Sequence, residues 1–139
     1  MGLEPYLLSS TINLVVAQRL VRRICLNCKT SYEADSELIN RLGIDLKRFQ
    51  DSIFYHGTGC QKCNNTGYLG RLPIFEFMMM DKDIRQKIVD GGTEAQIRAM
   101  SREKGYGSLL DSGVDRMLEG LTTADEILRV TFADTNNHI

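Results

Sequence analysis

Between Ser9 and Arg23 the apolar positions recur at helical spacing. Ile12, Val16 and Leu20 form one stripe, and Leu14, Ala17, Val21 and Ile24 form the adjacent one. Together they cover more than half of a helix circumference. The spacing therefore predicts a largely buried helix, capped by Ser9 or Ser10 and limited upstream by Pro5. Its polar face carries Gln18, Arg19, Arg22 and Arg23, with the arginines grouped at i, i+3 and i+4. Next, Leu38, Ile39 and Leu42 predict a short helix that Asp35 caps and Gly43 ends. Leu46 and Phe49 add one more helical turn. Ser52 to His56 reads as a short strand, and Asn64-Asn65-Thr66-Gly67 as a turn. Tyr68 to Met78 is extended, with Pro73 pointing to an edge strand.

The rest of the chain reads as helical. Lys82 to Asp90 turns Ile84, Ile88 and Val89 inward and stops at Gly91-Gly92. Thr93-Glu94-Ala95-Gln96 is a capping box that opens a helix ended by Gly105. Ser108 caps a third helix, which runs through Val114 and Met117 to Gly120. Thr123-Ala124-Asp125-Glu126 is a second capping box, leading into Ile127, Leu128 and Val130. Short helices with brief loops predict a compact bundle after Met80. Met78-Met79-Met80 reads as core filler, and the tail from Asp134 to Ile139 as frayed.

With 139 residues, 42% hydrophobic and 25% charged, the composition is that of a soluble globular domain. A net charge of -1 gives no general attraction to nucleic acid or acidic lipid. No apolar run approaches the roughly 18 residues of a membrane span. The opening residues lack Lys and Arg, so they do not read as a secretory signal, and Tyr6 breaks the myristoylation pattern.

The chemistry is concentrated in the cysteines. Cys25-Leu26-Asn27-Cys28 and Cys60-Gln61-Lys62-Cys63 contain all 4 cysteines of the chain. Two C-x-x-C pairs at this separation suit a tetrahedral zinc site, each pair forming a turn that aims two sulfurs at one ion. Four thiolates fill the coordination shell, so Cys25, Cys28, Cys60 and Cys63 read as ligands of a structural zinc. The bland alternatives are four unrelated reduced thiols or one redox-active pair. His56 falls outside a shell that is already full. Arg22, Arg23, Lys29 and Lys62 are placed to offset the -2 charge of such a centre. Metal-bound cysteine without an export signal suits a reducing cytoplasm. The phosphate loop G-x-x-x-x-G-K-[ST] and the dinucleotide fingerprint G-x-G-x-x-G do not occur, and the histidines and carboxylates show no catalytic spacing. The residues alone describe a zinc-stapled helical module with no catalytic residues and no cofactor-binding loop of its own.

Several stretches resemble the C-terminal region of the bacterial type II secretion and type IV pilus assembly ATPases. They are Gly2 to Thr11, Val16-Ala17-Gln18-Arg19-Leu20-Val21-Arg22-Arg23, Gly59 to Arg71, Ile74-Phe75-Glu76, Gly113-Val114-Asp115-Arg116 and Thr123 to Thr131. The resemblance covers residues 1 to 133. Leu26-Asn27 departs from the Pro-x common between the first cysteines of the family, which leaves the ligands intact. The resemblance implies an α+β fold, mostly short helices with a few short antiparallel strands and a tetracysteine zinc lobe, as the C-terminal fragment of a RecA-like P-loop ATPase. Residues 1–24 would end the RecA-like core with a buried helix, 25–70 form the zinc lobe, 71–133 a strand and the C-terminal helices, and 134–139 the tail. The family's phosphate loop and acidic metal-binding motifs lie upstream of the matched region. ATP and Mg²⁺ would therefore belong to the full-length parent, and this piece alone is expected to be inactive. The parent resembles a homo-hexameric motor at the cytoplasmic face of the inner membrane, whose partners are its own subunits and the secretion or pilus platform proteins. No nucleic acid and no direct membrane insertion are implied, and Gln18 and Arg19 match a motif without an assignable contact. The alternative reading is a zinc-ribbon nucleic-acid-binding module. It shares the cysteine spacing but expects basic residues interleaved with aromatics, which this chain lacks.

Overall fold

The computed structural model describes all residues except 1, 3, 34–35, 45–48, 50–51 and 133–139. In chain order the elements are α1 (Pro5–Thr11), β1 (Leu14–Ile24), β2 (Lys29–Tyr32), α2 (Ser36–Leu42), β3 (Phe54–Gly57), β4 (Tyr68–Met79), α3 (Lys82–Val89), α4 (Glu94–Glu103), α5 (Leu109–Leu118) and α6 (Ala124–Phe132). The class is α+β. Among the described residues two two-stranded sheets form, β1 with β4 and β2 with β3. Asp35 as a cap, the turn at Leu46 and the tail lie outside the described residues.

The helix expected from Ser9 to Arg23 is a short helix followed by a strand. Its apolar residues run almost without interruption from Leu14 to Ala17, a pattern that satisfies a period of 2 as well as 3.6. The β-branched Val15 and Val16 favour the extended choice, and β4 supplies the pairing. At one end of the ribbon the Met80 amide donates to Asn13 O at 3.0 Å, and at the other the Cys25 amide donates to Gly67 O at 2.9 Å. The start of β1 thus meets the end of β4, so the two strands run antiparallel. β1 is also far from buried: only Val21 and Ile24 are. Alternation along the strand puts Arg22 on the face opposite Arg19 and Arg23, so the expected arginine stripe does not form.

The chain divides into two compact units, one of Met1–Ala17 with Phe75–Ser108, the other of Gln18–Ile74 with Leu109–Ile139. The helices after Met80 are therefore not one bundle: α3 and α4 belong to the first unit, α5 and α6 to the second.

In the first unit, α3 packs against α1 and α4. Asp81 caps α3 by accepting from the Asp83 and Ile84 amides. Lys104, just past α4, pairs with Asp81 at 3.0 Å and Asp83 at 2.5 Å. The Ile84 amide foremost, and then Lys104, hold the Asp81 carboxyl below its ordinary range. Thr93 and Gln96 close the expected capping box at the start of α4. Arg85 donates to Ser9 O and to Asn13 Oδ1. Ile84 is fully buried, whereas Val89, expected inward, is 44% exposed.

The second unit holds the hydrophobic core. Val21, Ile39, Leu42, Phe49, Phe54, Ile74, Val114, Met117, Ala124, Ile127 and Val130 form one buried cluster. α6 packs on α5 and α2, and α5 on β3. Gly113 permits the α5–α6 approach, since a Cβ there would lie 2.7 Å from Ile127 Cδ1.

Candidate metal centre

Two turns face each other across the end of the β1–β4 ribbon and the β2–β3 pair. The first closes when the Cys28 amide donates to Cys25 O. The chain then enters β2, which pairs antiparallel with β3 from Lys29 opposite Gly57 to Tyr32 opposite Phe54. That register returns the chain beside Cys28, where the Thr58 amide donates to Cys28 O at 3.0 Å. The second turn is a 3-10 turn over Gln61–Cys63. Asn64 and Asn65 follow with φ of 52° and 59°, a left-handed conformation that asparagine tolerates better than most residues. Gly57 and Gly67 meet backbone to backbone: a Cβ on Gly57 would lie 2.1 Å from Gly67 O. Bare backbone at both positions is what lets the second turn lie against the β2–β3 pair.

The result is a cluster of four sulfurs. Cys25 Sγ lies 3.8 Å from Cys60 Sγ, Cys28 Sγ lies 3.9 Å from Cys63 Sγ, and Cys60 Sγ lies 3.7 Å from Cys63 Sγ. All four lie within 4.8 Å of one another. A tetrahedron with metal–sulfur bonds of about 2.3 Å has edges of about 3.8 Å. Disulfides would need about 2.0 Å, and all four cysteines are free. The donor set and its spacing therefore fit one tetrahedral ion.

The surroundings favour thiolates unequally. Cys63 accepts from the amides of Cys60 at 3.2 Å and Gly67 at 3.3 Å. Burial pushes the Cys63 thiol up, but those amides outweigh it and bring its pKa down to about 6. Hydrogen bonding from the Asn27 side chain, then from backbone at Cys63, lowers Cys60. Burial, with neighbouring thiols adding to it, pushes Cys28 up to about 11. Negative charge thus settles first on the second pair, and a metal must displace the remaining protons.

The structure brings the four predicted cysteines together, and the other candidates fall partly beside them and partly elsewhere. His56 pairs with Thr30 across the β2–β3 sheet and sits edge-on to Tyr32, 5.1 Å between ring centres. Lys29 lies over the Tyr55 ring at 4.2 Å. Arg23 and Lys62 line a shallow cleft beside Cys25. Arg22, expected to offset the centre's charge, is committed to Glu126.

Glu126 is the feature that reading the sequence missed. Its side chain has no solvent exposure. The Arg22 amide donates to Oε1 at 2.9 Å, and Arg22 Nε and Nη2 donate to Oε2 at 3.0 and 2.9 Å. Arg129 adds Nε at 3.0 Å and Nη2 at 2.6 Å. Burial alone would raise the Glu126 carboxyl, but Arg129 and Arg22 reverse that and hold it at about 2. Only half of the expected Thr123 capping box forms, because Thr123 Oγ1 accepts from the Glu126 amide while the carboxylate is engaged by the arginines. Nothing local to the four-residue motif distinguishes the two uses.

A family model described as Type II/IV secretion system protein matches residues 1–129. The chain belongs to this family. It is 40% identical, over 94% of its length, to a type IV pilus assembly ATPase PilB of Thermus thermophilus, covering 15% of that relative. It is also 40% identical, over 94% of its length, to the type II secretion system ATPase E of Vibrio cholerae, covering 25% of that protein. A PilB of Myxococcus xanthus is 33% identical over 96% of the chain and is covered to 24%. The chain thus spans a quarter or less of the length of these relatives.

Proposed function

We propose that this chain is the zinc-binding part of a motor ATPase that powers type II protein secretion or type IV pilus assembly. Within it, Cys25, Cys28, Cys60 and Cys63 hold one structural zinc. The observation that carries this reading is the sulfur cluster, whose spacing suits tetrahedral S₄ coordination. Such a shell leaves no position for water or substrate, so the metal supplies rigidity and not Lewis-acid catalysis. It ties the turn after β1 to the turn before β4 and fixes the surface between them as an interaction module.

ATP hydrolysis needs backbone donors and a lysine around the phosphates and an acidic residue for Mg²⁺. In this reading those groups belong to the rest of the motor, together with its hexameric assembly in the cytoplasm and its contact with inner-membrane platform proteins. Among the described residues no helix is long and apolar enough to cross a membrane.

The test has two parts. Elemental analysis of protein purified without added metal should find about one zinc per chain. In the longer motor, Cys60→Ser should lower steady-state ATP turnover, while the chain alone hydrolyses no ATP with or without zinc. A zinc-free, fully folded chain, or ATP hydrolysis by the chain alone, would overturn the assignment.

A further inference from the structure

Arg22, Arg71 and Arg129 line one open cleft together with Leu20, all within the second unit. Two of the three are held rigidly. Arg22 and Arg129 each present Nε and Nη2 to the buried Glu126. Arg22 is also stacked on Tyr68, its guanidinium carbon 4.2 Å from the ring centre. Tyr68 is itself fixed by a 2.7 Å hydrogen bond to Thr123. Each guanidinium keeps a further nitrogen, Nη1, that Glu126 does not use. About half of each of these side chains remains exposed, 48% for Arg22 and 57% for Arg129. The side chain of the third arginine, Arg71, makes no hydrogen bond or ion pair among the described residues.

The charges do not balance within the cleft. Arg22 and Arg129 share the Glu126 carboxylate and Arg71 has no carboxylate partner, which leaves an excess of two positive charges in the cleft. The buried carboxylate fixes Arg22 and Arg129, and the Tyr68 face further fixes Arg22, before any ligand arrives. That lowers the ordering cost of binding. Planar guanidinium forks suit the oxygens of phosphate better than the point charge of lysine does.

We propose that Arg22, Arg71 and Arg129 form a binding site for a phosphate dianion, either free phosphate or a phosphate monoester. Two negative charges match the excess in the cleft. A phosphodiester, the form of a lipid headgroup, carries one and should bind more weakly. Arg71 is the residue to alter, because it makes no contact with Glu126 and its loss leaves the fold's own ion pairs intact.

The experiment is a titration of the zinc-loaded chain with inorganic phosphate, followed through the arginine Nε–Hε resonances. Phenyl phosphate and dimethyl phosphate are titrated in parallel. Saturable shifts are expected on Arg22 and Arg129, with phosphate and phenyl phosphate binding more tightly than dimethyl phosphate. Arg71→Gln should weaken phosphate binding about tenfold or more, the range of a charge-assisted hydrogen bond. Lys82→Gln, in the other unit, should leave binding unchanged. Unchanged affinity in Arg71→Gln, or shifts spread over all the arginines without saturation, would overturn the proposal. Tighter binding of dimethyl phosphate than of phosphate would overturn the assignment to a dianion.

Discussion

The two units treat apolar side chains in opposite ways. In the second unit, apolar residues from three helices and three strands close over Phe54, Ile74 and Ile127, and the buried cluster is continuous. In the first unit, Ile84 and Met80 are buried, but Tyr6, Leu7, Leu14, Val15, Val16, Phe75 and Phe77 stay exposed. The first unit is instead held by polar devices: the Asp81 cap with Lys104, the Thr93–Gln96 box, and Arg85 on Ser9 and Asn13. Burial of an apolar side chain is worth about 1.5–3 kcal/mol, and a cap about 1. The second unit should therefore be the more stable of the two, and the metal should matter to it alone.

Loss of the metal is the strongest way to break that contrast. Cys60→Ser removes one ligand from the cluster that closes the β2–β3 pair. Phe54 of that pair packs in the core with α5 and α6. The damage should therefore spread from residues 25–32 and 54–70 into α5 and α6, and spare α3 and α4. The unfolding midpoint of the second unit should fall by more than about 10 °C. Hydrogen exchange resolved by residue reads this directly. Equal loss of protection in α3 and α4 would mean the two units unfold as one.

The next effect is at Glu126. Glu126→Gln keeps the shape but removes the charge that five donors converge on. The expected cost is about 2 kcal/mol, near the low end for charged hydrogen bonds because water screens the half-exposed arginines. The carboxyl's pKa in the fold is about 2, against an ordinary 4.5. Since the folded value is the lower one, its contribution is complete above about pH 4.5 and is lost as pH falls towards 2. Comparing denaturant midpoints of wild type and Glu126→Gln across that window cancels the acid sensitivity of the metal centre. The difference should shrink as pH falls; a constant difference would mean that packing, not charge, sets the cost.

These residues also show how far the sequence could be read. The cysteine pairs were legible because metal ligation demands a residue type at a spacing, and neither depends on the fold. The caps at Thr93 and the glycines at 43, 105 and 120 were legible because they are local; those glycines all have positive φ. β1 was misread because a run such as Leu14-Val15-Val16-Ala17 fits both periods, and its partner strand lies some fifty residues away. The partition of the helices into two units and the meeting of Arg22 with Glu126 are likewise long-range facts. Gly57 illustrates the same limit: nothing in its local sequence marks the backbone contact with Gly67 that fixes it.

Two smaller changes each act on one unit. Gly113→Ala places a methyl group against Ile127 and should destabilise the second unit by about 1–2 kcal/mol, read as a shift in its urea midpoint. No change would mean α5 and α6 can separate without cost. Thr93→Ala removes the cap of α4 and should cost the first unit about 1 kcal/mol, visible as faster amide exchange in the first turn of α4. Faster exchange in α6 in the same variant would contradict the independence of the two units.

The central claim is the S₄ centre, and X-ray absorption at the zinc edge of protein purified without added metal tests it most directly. One shell of four sulfurs at about 2.3 Å is expected, with no nitrogen or oxygen ligand. A shell containing nitrogen or oxygen, or a folded protein with no zinc edge and four thiols open to alkylation, would contradict it.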